Sequence, residues 1–173
     1  MYRFDEMNKL SVFLFVCGLS GLLAGCLKGE EYPPQPVLTF KSMITRPDSA
    51  IIVMEFTDGD GNFGLNQGDT AGSFDNCLRQ YNLYCEYYEL QSGEWVQFAI
   101  DPCADPEAVP FYYRVPFVEP TGQIKAQKGE VRIVITPFYY FPGEFDTCRF
   151  EVSAVDRGLN VSNTIRTRSF LKP

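Results

Sequence analysis

Arg149-Phe150-Glu151-Val152-Ser153-Ala154-Val155 alternates polar and apolar side chains from Arg149 to Ala154. A period of two places Phe150, Val152 and Ala154 on one face, the pattern of a half-buried strand. The same reading extends in both directions. Residues 130–135 (Glu-Val-Arg-Ile-Val-Ile) form a second strand, ended by Pro137, and residues 50–56 are a β-branched, mostly apolar run suited to a central strand. Residues 37–41 give a short first strand, and residues 163–170 a last one. Residues 81–90 and 95–100 flank Ser92-Gly93, a hairpin signal. Residues 111–118 read as a broken strand, because Pro116 cannot donate to a ladder. A Gly/Asp-rich loop fills the stretch from Asp58 to about Asp75, and no useful helical periodicity follows the N-terminal segment. About seven short strands at this spacing predict an all-β, seven-stranded antiparallel β-sandwich.

Pro142-Gly143 followed by Cys148-Arg149-Phe150-Glu151-Val152-Ser153-Ala154-Val155-Asp156-Arg157-Gly158-Leu159-Asn160-Val161-Ser162 resembles the F–G region of bacterial fibronectin type III-like domains. That family often reads PGT.Y..rV.AvD.aGN.S there. This chain departs from it by placing Leu159 between Gly158 and Asn160 and by lacking the usual tyrosine. The resemblance implies a fibronectin III/immunoglobulin-like sandwich over residues 37–173, with sheets A-B-E and C′-C-F-G. It further implies that the B–C and F–G loops and the start of strand A share one pole, with the E–F loop at the other.

Leu23-Ala24-Gly25-Cys26 follows an apolar run (residues 10–16, extended by 18–23) preceded by Lys9. It has the form of a bacterial lipobox: small residues for the peptidase, then a thiol for lipid attachment at Cys26. The run is shorter than the roughly 20 apolar residues that span a bilayer. Asp5 and Glu6 are out of place in a signal, and Met7-Asn8-Lys9 is the more ordinary start. Residues 1–25 are thus predicted to be a cleaved signal peptide and residues 26–36 a lipidated tether, stiffened by Pro33, Pro34 and Pro36. The alternative is an ordinary cleaved signal followed by a chance cysteine. Leu27-Lys28-Gly29-Glu30-Glu31 resembles the surface-export signal of Bacteroidota lipoproteins, and also reads as a plain solvated tether. The expected location is the outer membrane, with exposure at the cell surface if that signal operates.

Composition narrows the function. The chain carries a net charge of −7 and no basic stripe, so nucleic acid is a poor partner. Apolar residues at 45% and aromatics at 15% are ample for a packed core. There is no histidine, which removes Ser-His-Asp and Cys-His catalysis and His-ligated zinc. No other catalytic constellation is recognisable, so the expectation is a protein that is not an enzyme. Of six cysteines, Cys17 leaves with the signal and Cys26 takes lipid. Cys77, Cys85, Cys103 and Cys148 then allow two disulfides in any of three connectivities. A zinc site is the rival reading, though no C-x2-C spacing occurs. The fibronectin-like topology implies Cys77–Cys103, leaving Cys85–Cys148.

Two stretches are candidate sites. Asp58-Gly59-Asp60-Gly61-Asn62 alternates oxygen donors with glycines, a pattern that can wrap a hard cation such as Ca2+. Counted as an EF-hand loop, Asp69 would close the set, but Phe63 stands where the sharp turn needs Gly and strands flank the loop. The other reading is a solvated turn, since Asp and Gly are what tight turns require. Asp156 is expected at the same pole and joins the candidate ligands, with Asp101 and Asp105 nearby. The second stretch, Phe138-Tyr139-Tyr140-Phe141, falls in the E–F loop. There it either contacts a protein or sugar or folds down over the end of the sandwich. Asp48-Ser49-Ala50 and Asp69-Thr70-Ala71 resemble Bacteroidota O-glycosylation sites, and Asn160-Val161-Ser162 fits the N-glycosylation triplet. The leading expectation is a lipid-anchored, non-enzymatic binding or structural module within an envelope protein complex. A sugar-binding accessory protein is the alternative, and a small carboxylate-dependent hydrolase the least favoured reading.

Overall fold

A computed structural model describes residues 30–172, apart from 106, 108, 122, 123 and 137–144. The expected signal peptide (residues 1–25), Cys26 and the Phe138, Tyr139, Tyr140 and Phe141 cluster lie outside the described residues.

β1 (Val37–Thr45) and β2 (Ala50–Asp58) pair antiparallel, with one bulge between Phe40 and Ser42. β2 then pairs with β6 (Gln127–Ile135) in unbroken register from Ala50↔Ile135 to Asp58↔Gln127. The β-branched run of β2 lies at the centre of this three-stranded sheet. β3 (Leu83–Gln91) turns through Ser92 and Gly93, at φ 52° and 89°, into β4 (Glu94–Phe98). Positive φ at both positions is what a two-residue hairpin of matching twist needs. β7 (Thr147–Ala154) pairs with β3 on its other side and with β8 (Ile165–Arg166) beyond, so the second sheet runs β4-β3-β7-β8. Short β5 (Tyr112–Tyr113) adds to β3, while β8 and β9 (Phe170–Leu171) both add to β7. The two sheets thus hold three and six strands, all in antiparallel ladders. A single 3-10 turn (Gly72–Phe74) is the only helical element among the described residues.

Nine strands stand among the described residues where seven were expected. The stretch 111–118 keeps only two residues in the β3 ladder, because its later part is drawn to the loop after β2, where Leu65 N–H donates to Val115 O and Phe117 N–H to Leu65 O. Arg114 donates to the carbonyls of Gln80, Asn66 and Asp69, and Val115 N–H donates to Asn82 Oδ1 at 2.6 Å. The last strand is split by one extra residue. Cys148 faces Phe170 but Glu151 faces Arg166, leaving residues 167–169 opposite 149 and 150. Thr167 occupies this bulge, accepting from Phe150 N–H through Oγ1 and donating its own N–H to Phe150 O.

The inner faces of both sheets meet in one core. Ile52, Met54, Val131 and Ile133 come from one sheet, and Leu83, Cys85, Tyr87, Phe150 and Val152 from the other. The period of two in β7 holds: Cys148, Phe150, Val152 and Ala154 are all fully buried.

Cys77 and Cys103 form a disulfide, with Cα atoms 5.5 Å apart. The second expected pair is not made: Cys85 and Cys148 are free and buried. Both face the core, but the register puts Cys85 opposite Val152 and Cys148 opposite Glu89. That four-residue offset is about 13 Å along the sheet, beyond the roughly 7 Å between Cα atoms that a disulfide can bridge. Tyr87 stands between them, and its hydroxyl lies 2.8 Å from Cys148 Sγ. Burial pushes the Cys85 thiol well above its usual range. Reducing the bridge, which spans 26 residues of sequence, is expected to cost about 3–4 kcal/mol, read as a lower urea midpoint in reductant. In denaturant without reductant, maleimide should label Cys85 and Cys148 and spare Cys77 and Cys103.

Candidate metal centre

Asp58 closes β2, and its side chain is wholly buried. Its Oδ2 accepts the N–H groups of Asn62 (2.8 Å) and Phe63 (2.9 Å), folding the Gly-Asp-Gly stretch back on itself. Gly61 takes φ 72°, and a Cβ there would strike the Lys125 carbonyl. The chain then drops Phe63 into the core against Phe56, ring centroids 4.4 Å apart.

The second half of the site follows β7. Asp156 is 1% exposed, and its two carboxylate oxygens accept Asn160 N–H and Asn160 Nδ2, each at 2.8 Å. Gly158 lets the two loops close on each other: a Cβ there would sit 3.3 Å from both Asn62 Nδ2 and Asp156 Oδ1. Arg157 N–H donates to Asn62 O at 3.3 Å and completes the seam.

Carboxylate oxygens of Asp58, Asp60 and Asp156 lie within 4.8 Å of one another. Asp60 is the exposed member, and it accepts Asn62 Nδ2 at 2.8 Å. Two buried oxygens, Asp58 Oδ1 and Asn62 Oδ1, have no hydrogen-bond partner. The Asp58 carboxyl is pushed up to about 6, chiefly by burial and further by the charges of Asp60 and Asp156. Its bonds to Asn62 and Phe63 N–H pull the other way. A buried oxygen left without a partner costs free energy that folded proteins generally avoid.

Of the five residues read from the sequence as candidate ligands, Asp58, Asp60, Asn62 and Asp156 converge, and Asp69 does not. Asp69 accepts Asn66 N–H at 2.7 Å and pairs with Arg157 at 3.2 Å. Counting along the chain fails at Asp69 because buried Phe63 and Leu65 pin the loop down before it arrives. Asp101 and Asp105 are outside the cluster, capping their own turn through the N–H groups of Cys103 and Glu107. Asn160, which holds Asp156, is in the sequence part of the fibronectin-like motif and of a glycosylation triplet, with no sign there of its bond to the carboxylate. Of the O-glycosylation motifs, Ser49 is buried while Thr70 is exposed.

A second surface lies away from the Asp cluster. The outward face of the six-stranded sheet carries Tyr84, Glu86 and Tyr88 at alternate positions of β3. Tyr112 Oη donates to Glu86 at 2.7 Å, and Gln97 Nε2 donates to it at 2.8 Å. The Arg149 guanidinium lies 4.3 Å from the Trp95 ring centroid and pairs with Glu151, which also takes Arg166 at 3.0 Å. The outward half of the alternation in residues 84–88 and 149–151 is the signal that could have found it.

The chain matches no protein-family model and no curated protein.

Proposed function

We propose that this chain is a non-enzymatic binding module at the cell envelope, held by lipid on Cys26. The observation that carries the binding reading is the outward face of the six-stranded sheet. There Tyr84, Tyr88, Trp95 and Tyr112 are set among Glu86, Arg149, Glu151 and Arg166 on rigid strands. Aromatic rings and arginine are the side chains that carry most binding energy in protein contacts. Ring and charge partners already fix their orientation, which lowers the ordering cost of binding.

The strand orders β1-β2-β6 and β4-β3-β7-β8 support a fibronectin III/immunoglobulin-like type, since they are the A-B-E and C′-C-F-G orders of such a sandwich. The lipid anchor rests on the lipobox ending at Cys26, ten residues before buried Pro36 at the domain's edge.

The test is co-purification after mild solubilisation of the membrane. Wild-type protein should fractionate with membrane and bring a partner down. Cys26→Ser should leave the membrane fraction, and Trp95→Ala should stay in it but lose the partner. A Trp95→Ala variant that retains its partner would place the contact elsewhere; a Cys26→Ser protein still in the membrane would remove the anchor.

A further inference from the structure

We propose that the Asp58–Asp156 seam is a binding site for a hard divalent cation of the calcium type. The donor set is Asp58 Oδ1, Asn62 Oδ1 and one carboxylate oxygen each from Asp60 and Asp156. This goes beyond the binding-module reading and does not depend on it.

Three observations converge. First, the carboxylate oxygens of Asp58, Asp60 and Asp156 lie within 4.8 Å of one another. Calcium sits about 2.3–2.6 Å from its oxygen ligands, so oxygens around a single ion fall at this separation or less. Second, the wholly buried Asp58 keeps Oδ1 without any hydrogen-bond partner while Oδ2 takes two N–H groups. Asn62 Oδ1 is likewise buried and unpartnered, although Asn62 Nδ2 is engaged by Asp60. In each side chain the nitrogen or second oxygen is satisfied and one oxygen is left over. A single cation accounts for both leftover acceptors at once. Third, three carboxylates this close repel one another unless something neutralises them. The nearby arginine, Arg157, turns its guanidinium to Asp69 and to the Phe117 ring, 4.7 Å away, rather than to the cluster.

The chemistry of the donors selects the cation. All four are oxygens, three of them from carboxylates, which suits calcium or magnesium and not a soft metal. Magnesium demands near-ideal octahedral geometry at about 2.0–2.1 Å. A set drawn from two loops 98 residues apart in sequence, counted from Asp58 to Asp156, is better suited to the looser calcium shell. A bound ion would tie the loop after β2 to the loop after β7. It would also brace the start of the domain, because Gly59 N–H, next to Asp58, donates to Pro33 O at 2.8 Å.

The experiment uses the full chain in detergent, stripped with chelator, then titrated with CaCl2 or MgCl2 by calorimetry and followed by thermal melting. Calcium is expected to bind one-to-one and raise the melting temperature, with magnesium weaker. Loss of a group that merely supports a metal ligand typically costs about 10–100-fold in affinity, so Asp58→Asn and Asp156→Asn should each cost at least that. Asp58→Asn keeps an oxygen for the Asn62 and Phe63 N–H groups, so the fold survives, checked by circular dichroism. Asp69→Asn, outside the cluster, should bind within about twofold of wild type. No heat and no melting shift in the wild-type chain would overturn the proposal. So would undiminished calcium binding by both Asp58→Asn and Asp156→Asn, or an affinity loss in Asp69→Asn as large as in either.

Discussion

Phe150→Ala is expected to remove about 3–5 kcal/mol of folding stability, a large share of what a domain of this size commands. Phe150 is fully buried near the middle of β7, the strand that pairs with β3, β8 and β9. Its ring meets three others: Tyr87 on β3 at 5.6 Å, Phe111 just before β5 at 5.7 Å, and Phe170 on β9 at 5.5 Å. These neighbours come from separate stretches of chain, each fixed by its own backbone pairing. They cannot all move inward to fill the void, so the cavity term adds to the lost transfer free energy. Phe150→Leu keeps most of the volume and should cost far less. Urea unfolding of both variants with the disulfide intact measures the difference. An unchanged slope with a lowered midpoint would locate the loss in native packing. A loss below about 1 kcal/mol for Phe150→Ala would mean that the core closes without this ring.

Strands with a clean period were legible because burial on one face imposes that period directly. β7 and β6 follow their polar–apolar alternation, and the β3–β4 hairpin follows Ser92-Gly93. What escaped reading depended on side chains reaching across the fold. Arg114 satisfies three loop carbonyls, and Leu65 bonds Val115 and Phe117 through the backbone, so the chain after Tyr113 leaves the ladder for the loop after β2. No local propensity encodes that. The Cys77–Cys103 bridge is what the fibronectin-like resemblance implies, and the Cys85–Cys148 pair it leaves fails on a finer matter, the register of two neighbouring strands. The candidate cation site shows the same limit. Asp58, Asp60 and Asn62 were visible as a local pattern, and Asp156 only through topology. Asp69 follows from counting along an EF-hand pattern, which needs the loop to keep one curvature past Phe63. The two unpartnered oxygens, Asp58 Oδ1 and Asn62 Oδ1, are not sequence features at all, because they depend on which acceptor each turn leaves unused.

Glu89 is the clearest case of a polar residue whose reason lies far away, and it carries the other large expected effect. Alternation along β3 runs Leu83, Cys85, Tyr87, Glu89, so period two delivers a carboxylate to the core face. Its side chain is 3% exposed. Lys172, 83 residues later, places Nζ 2.5 Å from Glu89 Oε1 with only 13% of its own side chain exposed, and Tyr87 Oη donates to the same oxygen at 3.1 Å. Lys172 N–H also bonds Asp146 O at 2.8 Å, so the ion pair fastens the segment just past β9 over the core. Removing one member of such a pair strands the other charge in a poorly solvated place, at about 3–5 kcal/mol. Lys172→Met is therefore expected to destabilise the domain by that amount. Replacing both partners, as Glu89→Met with Lys172→Met, removes the stranded charge and should recover much of the loss, because an apolar pair of similar size is often no worse than a buried ion pair. Tyr87 Oη keeps Cys148 Sγ as a neighbour in the double variant. The coupling in a double-mutant cycle is the decisive quantity. Additive single and double effects would mean that Glu89 is solvated well enough to do without Lys172, and the segment after β9 would then be held by the β7–β9 pairing and the Lys172 N–H bond to Asp146 O.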